Sequence, residues 1–177
     1  MIESVVADLL LPAALFTLII GQIGILGSRH LGRLAAFAAI GSIGTLMIAV
    51  SQYTPQATAA AVYYLIHSTL AAAALFLIVD MIGARRGDLW LRLAPIMPGN
   101  GMIAALYFVT AIAVAGMPPL SGFIGKLLIL QATAEAPLMI WIWSIILVTS
   151  LIAIYGLTRA GSLVFWKCYE VEGPYSP

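Results

Sequence analysis

Lys126 and His67 are the two side chains of this 177-residue chain whose type and setting could move protons. Lys126 lies within Gly101 to Ala132, an otherwise apolar stretch long enough to cross a bilayer. An ammonium at the centre of such a helix costs roughly 2.5–3.5 kcal/mol on insertion scales, so a chain that keeps one is expected to use it. Just ahead of it, Met117-Pro118-Pro119-Leu120-Ser121-Gly122 interrupts the stretch. Interrupted helices are how transporters build ion sites near the bilayer midplane. Pro118 and Pro119 donate no backbone hydrogen bond and clash with the preceding turn. Carbonyls at Val114 to Met117 and the start of the next half-helix near Gly122 then need water or polar side chains. The competing reading places Lys126 about six residues, or ~9 Å, from Ala132, where its side chain snorkels to the headgroups.

His67 sits about ten residues inside its own apolar run, and helical spacing puts Tyr64, His67, Ala71 and Ala74 on one face. Imidazole titrates near neutrality and passes protons through two nitrogens, which suits a relay. A histidine bonded across helices for packing alone is the alternative. Tyr64, Arg33 and Asp80 are weaker candidates. Arg33, directly before a span, reads as a topology anchor, and Asp80 as the partner of Arg85 and Arg86 in a surface ion pair. Ser42, Thr45 and Thr110 are expected to bond back to helix carbonyls. Gly21, Gly24, Gly41 and Gly44 are expected to mark close helix packing.

These residues need helices to hold them, and composition says of what kind. With 63% hydrophobic and 8% charged residues and a mean hydropathy of +1.08, the chain reads as an all-α integral membrane protein. A net charge of +1 with no basic run offers nothing to nucleic acid, and the single Cys168 with two histidines makes no metal-ligand pattern. No nucleotide loop, nucleophile–base pair or paired carboxylates occur, so neither a cofactor nor independent enzymology is expected.

Apolar runs near 9–28, 34–51, 57–83 and 138–158 each approach the roughly 20 residues that span a ~30 Å core. The fifth, 101–132, is broken at 117–122. Seven of the eight basic residues fall at Arg29 and Arg33, at Arg85, Arg86 and Arg92, and at Arg159 and Lys167. Counting the broken stretch as one crossing puts all three groups on the cytoplasmic side, as the positive-inside rule expects. One transmembrane domain of five spans follows. Glu3, Asp8 and the loops at Gln52–Gln56 and Thr133–Pro137 lie outside, with Gly83–Asn100 a cytoplasmic loop containing an interfacial turn near Trp90.

Three ordered blocks carry a resemblance: Leu31-Gly32-Arg33-Leu34-Ala35-Ala36-Phe37 with Gly41-Ser42-Ile43-Gly44; Tyr64-Leu65-Ile66-His67-Ser68-Thr69-Leu70 through Phe76; and Ala115-Gly116-Met117-Pro118-Pro119-Leu120-Ser121-Gly122-Phe123-Ile124-Gly125-Lys126. The chain resembles the antiporter-like family, which holds the large subunits of Mrp-type (Pha, Mnh) cation/proton antiporters and the proton-pumping membrane subunits of respiratory complex I. The third block is most similar to the D-type subunit of Mrp antiporters.

The resemblance implies a core of two inverted five-helix repeats, each with a broken helix. Lys126 matches the broken-helix lysine of the second repeat and His67 its relay histidine. Gly32 and Ala71 stand where some relatives carry lysines. The resemblance also implies that the chain corresponds to the C-terminal repeat, with the first repeat missing. The leading expectation is a subunit of a multisubunit monovalent cation (sodium or potassium)/proton antiporter in the bacterial inner membrane, working with partner subunits. The alternatives are a non-redox proton-pumping subunit of a complex I-like or hydrogenase-like enzyme, and a transport-incompetent scaffold fragment.

Overall fold

The computed structural model describes residues 2–168, with side chains from residue 9 onward. The Glu3 and Asp8 side chains and the tail past Cys168 lie outside the described residues. Among the described residues six helices follow one another: α1 (Ile2–Gly27), α2 (Leu31–Val50), α3 (Pro55–Arg86), α4 (Asn100–Ala115), α5 (Ser121–Ala132) and α6 (Met139–Gly161), the last running on as a π-helical turn, Ser162–Trp166. By length and apolarity α1, α2, α3 and α6 can each cross a membrane, and α4 and α5 are shorter apolar helices. The chain is an all-helical, multi-pass membrane protein.

Local chemistry moves several helix ends away from the hydropathy boundaries. The Thr54 hydroxyl accepts the Ala57 N–H at 3.1 Å and Pro55 takes the first turn, so α3 starts two residues before the apolar run. It then continues through Arg85 and Arg86 until Gly87, whose φ of 79° is a left-handed cap. The last helix passes its expected end at Thr158. Arg159, near its end, donates to the Leu26 and Ser28 carbonyls at 2.8 and 2.9 Å, tying α6 to the end of α1.

Glycines set the closest approach in the fold. A Cβ on Gly44 would overlap the Leu18 amide nitrogen, and one on Gly21 the backbone of Gly41, so α1 and α2 touch nearly backbone to backbone.

The expected Asp80 ion pair is not formed. Arg86 instead lies 3.9 Å from Asp88 and Arg85 donates to the Pro98 carbonyl at 3.2 Å, while Asp80 is exposed. The reason is the loop 87–99, which folds back over the end of α3 and brings Asp88 to the arginines. Arg92 grips Asp88 at 2.7 Å, and that bond, helped by the Trp90 N–H and the charges of Arg86 and Arg92, holds the Asp88 carboxyl below its ordinary range against the effect of burial.

The course of the broken stretch is legible in its partners on α6. Asn100 Nδ2 donates to the Phe165 carbonyl, the Tyr107 hydroxyl to Leu157, Lys126 Nζ to Ser150, and Trp143 Nε1 to Leu130. Positions on α6 fall from 165 to 143 as those on α4 and α5 rise from 100 to 130. The two half-helices therefore lie end to end along α6 and pass it once. Apolar packing divides at the same level. One buried cluster, with Leu75, Tyr107 and Leu157, fills the end near the Arg-rich loop; another, with Ile48, Ile129 and Ile142, fills the opposite end. Between the two clusters lie His67 and Lys126.

Candidate functional site

Helix α4 stops at Ala115 because Gly116 adopts φ 75° and the Pro118–Pro119 pair, joined by a cis peptide bond, cannot continue the ladder. The chain turns and restarts at Ser121. The interruption leaves fewer carbonyls free than the sequence suggests, since Met117 accepts the Leu120 N–H within the turn. Ala115 is left for a side chain.

Lys126, on the second turn of α5, points back across the gap. Its Nζ donates to the Ala115 carbonyl and to the Ser150 hydroxyl, both at 2.8 Å. Ser150 in turn donates to the Ile146 carbonyl at 2.7 Å, which fixes its oxygen as an acceptor for the ammonium. No carboxylate pairs with Lys126 among the described residues. Gly116 makes the approach possible: a Cβ there would lie 2.7 Å from Lys126 Cδ and 3.1 Å from Nζ.

His67 reaches the same break from α3. Its Nδ1 lies 2.9 Å from the Ser121 hydroxyl at the start of α5. Gly122 fits between: a Cβ on it would overlap the Ala113 oxygen and lie 2.8 Å from His67 Nε2. Either tautomer of the ring satisfies the Ser121 bond, the hydroxyl donating to Nδ1 in one and accepting from it in the other. His67 and Lys126 do not touch. They bond instead to opposite lips of one break, Lys126 to Ala115 at the end of α4 and His67 to Ser121 at the start of α5.

The other sequence candidates divide. Tyr64 is buried, its ring 5.8 Å from that of His67, with its phenol toward Thr45 and Ser42 of α2. Gly125 gives it room, a Cβ there lying 2.8 Å from Tyr64 Cδ2. Ser42, His67, Ser68 and Val114 line a void of ≈ 10 Å³, space for about one water. Arg33 and Asp80 are exposed and far from the break, at the arginine-rich end. Pro118 and Pro119 form the turn and contribute no functional group. Ser150 and the hydroxyl of Ser121 are the residues that sequence reasoning passed over as site members. The signal for Ser150 is slight: a hydroxyl pair, Thr149 and Ser150, in an otherwise apolar run.

A bundle of apolar helices, one of its stretches broken midway at Gly116–Leu120, is the fold of antiporter-like membrane proteins. Residues 1–153 match the model for the transmembrane family of NADH:quinone oxidoreductase and Mrp antiporter subunits, and the chain belongs to that family. It is 32% identical over 161 residues to the D-type Na(+)/H(+) antiporter subunit of Bacillus subtilis, covering 90% of this chain and 32% of that protein. A probable D-type K(+)/H(+) antiporter subunit of Rhizobium meliloti is 29% identical over 191 residues, covering 91% and 35%. Among solved structures, a chain of the Mrp complex from Dietzia superposes with a TM-score of 0.84 at 27% identity, covering 90% of this chain and 30% of that one. A chain of Thermus thermophilus respiratory complex I superposes at 0.86 with 24% identity, covering 97% and 36%, which speaks to the fold alone. The chain spans about a third of the length of the curated relatives it matches.

Proposed function

We propose that this chain is a proton-conducting module of a multisubunit monovalent cation/proton antiporter in a bacterial cytoplasmic membrane, with Lys126 and His67 on the proton path. The observation that carries the reading is the hydrogen bonding of Lys126 Nζ. An ammonium has three protons, and Ala115 and Ser150 accept two of them. The neutral amine keeps two, so both charge states retain the same two anchors, and the third proton is the one to exchange. Snorkelling would instead aim Nζ at the headgroups. At His67, a proton arriving on Nδ1 reverses the bond to Ser121, from hydroxyl donating to ring donating. Both groups bond to one break, Lys126 at Ala115 and His67 at Ser121, and so a change of charge on one acts on the other. Cation exchange itself requires the partner subunits.

In this reading the chain forms one transmembrane domain of five crossings, α4 and α5 together making one. Cysteines placed at Glu135 and at Asp88 are expected to react with impermeant reagents from opposite sides of the membrane. Labelling of both from the same side would overturn the single broken crossing.

The functional test is His67→Gln in the assembled complex. Glutamine keeps a donor and an acceptor near Ser121 and Ala113 but cannot carry a proton at physiological pH. Cation-dependent proton exchange in everted vesicles is expected to fall about a hundredfold, the lower range for loss of a positioned proton carrier, with assembled complex unchanged. Unaltered exchange would reduce His67 to a packing residue. If exchange is unaffected but respiratory proton pumping is lost, the redox-driven alternative takes its place.

A further inference from the structure

A groove at the arginine-rich end, between the end of α1 and the start of α2, has the shape and charge of a lipid site. It offers ≈ 450 Å³ and is walled by Ile23, Gly27, Phe37, Arg29, Arg33 and Trp90. We propose that it binds one anionic phospholipid of the cytoplasmic leaflet, the phosphate at Arg29 and Arg33 and an acyl chain along Ile23 and Phe37. The proposal is independent of the proton path.

Three observations support a built site rather than a pair of surface charges. First, the rim is fixed. The Leu31 N–H donates to the Leu89 carbonyl and the Leu91 N–H to that of Arg29, both at 2.8 Å, so the α1–α2 connection is stitched to the loop bearing Trp90. Trp90 also stands edge-on to His30, ring centroids 5.4 Å apart, and remains half exposed, as interfacial tryptophans are.

Second, the positive charge is uncompensated locally. Asp88, the one carboxylate of the loop, is taken by Arg92 and Arg86, and among the described residues neither Arg29 nor Arg33 has an ion-pair or side-chain hydrogen-bond partner. Arg159 adds a third guanidinium behind the wall, bonded to the carbonyl of groove residue Ser28. Arginine presents the planar fork that phosphate oxygens fit.

Third, the groove opens onto exposed apolar surface. Gly27 leaves empty space, since a Cβ there would meet nothing within 4 Å. Toward the bilayer interior, Ile20, Ile23, Ile40 and Ile43 on the two helices are exposed and apolar, continuous in helical register with the groove. Basic pockets between transmembrane helices on the cytoplasmic side take anionic headgroups for these reasons. A headgroup with a net negative charge is favoured over a zwitterionic one, whose ammonium would face the same arginines.

The test is native mass spectrometry of the full chain in detergent, titrated in parallel with phosphatidylglycerol and phosphatidylcholine of the same acyl chains. One phosphatidylglycerol is expected to be retained with a preference of about tenfold over phosphatidylcholine. The double variant Arg29→Gln, Arg33→Gln is expected to lose that preference, and Gly27→Leu, which fills the groove with both charges intact, to lower retention several-fold. Arg85→Gln, whose guanidinium is committed to the Pro98 carbonyl, serves as the neutral control and should match the wild type. Equal retention of the two lipids, an unchanged double variant, or an equal loss in the Arg85 control would overturn the proposal. Displacement of the lipid by millimolar inorganic phosphate would overturn it as well, by making a free anion the ligand.

Discussion

Lys126→Ala is expected to abolish cation-dependent proton exchange in the assembled complex while leaving the amount of complex close to that of the wild type. The substitution removes a half-buried ammonium that has no carboxylate partner among the described residues, so no counter-charge is stranded. What it strands is smaller. The Ala115 carbonyl and the Ser150 oxygen lose a donor, at about 1–3 kcal/mol for an unsatisfied buried group, less if water enters. Lys126→Arg separates charge from exchange. A guanidinium is always protonated and its fork does not fit two single acceptors set for an ammonium, so transport should fail even though the positive charge is kept. The measurement is antiport in everted vesicles, scored beside the quantity of assembled complex. Normal exchange by the alanine variant would remove Lys126 from the mechanism.

The largest stability effect is expected at Gly122. An alanine methyl there would occupy the position of the Ala113 carbonyl oxygen and crowd His67 Nε2 at 2.8 Å. A backbone oxygen cannot swing aside as a side chain can, so α5 must move away from α3 and α4. Overpacking of this kind costs typically 1–3 kcal/mol, and more where backbone is struck. Gly122→Ala should lower the thermal midpoint in detergent by several degrees and cut exchange with both ionisable groups still present. Gly101→Ala is the control, because a Cβ there meets nothing within 4 Å and alanine favours the helix by roughly 0.5–1 kcal/mol. Equal stability of the Gly122 and Gly101 variants would mean that the contact between the half-helices is not as tight as described.

The class of fold was readable from composition and hydropathy because a bilayer imposes a length and an apolarity on every spanning helix. Helix ends were read less well. Hydropathy stopped α3 at Gly83, whereas a helix ends where its hydrogen bonds do, at the left-handed Gly87 past two arginines. Asp80 was misassigned for a related reason: proximity along a helix suggested Arg85 and Arg86, but a loop returning from residue 87 onward supplied Asp88 instead. At the site, a charge in an apolar run and a double proline announced themselves. Ser150 and the hydroxyl of Ser121 did not, because a serine in a membrane helix ordinarily bonds to its own backbone, and only the packing of α6 and α3 against the break gives these two a second task.

The way the two half-helices are shared among their neighbours has a mechanical consequence. Helix α4 is clamped to the end of α6 by the Tyr107 and Asn100 bonds and by a cluster of Tyr107, Phe108, Phe165 and Trp166 rings. Helix α5 packs on α3 and is joined to α6 by side-chain bonds, those of Lys126 and Trp143. The break thus divides a half packed directly on α6 from a half that meets α6 through a few side-chain bonds. Any sliding of α5 along α6 has to stretch the Lys126–Ser150 bond together with those of Trp143, so the residue proposed to carry the proton would also bear the load of that displacement.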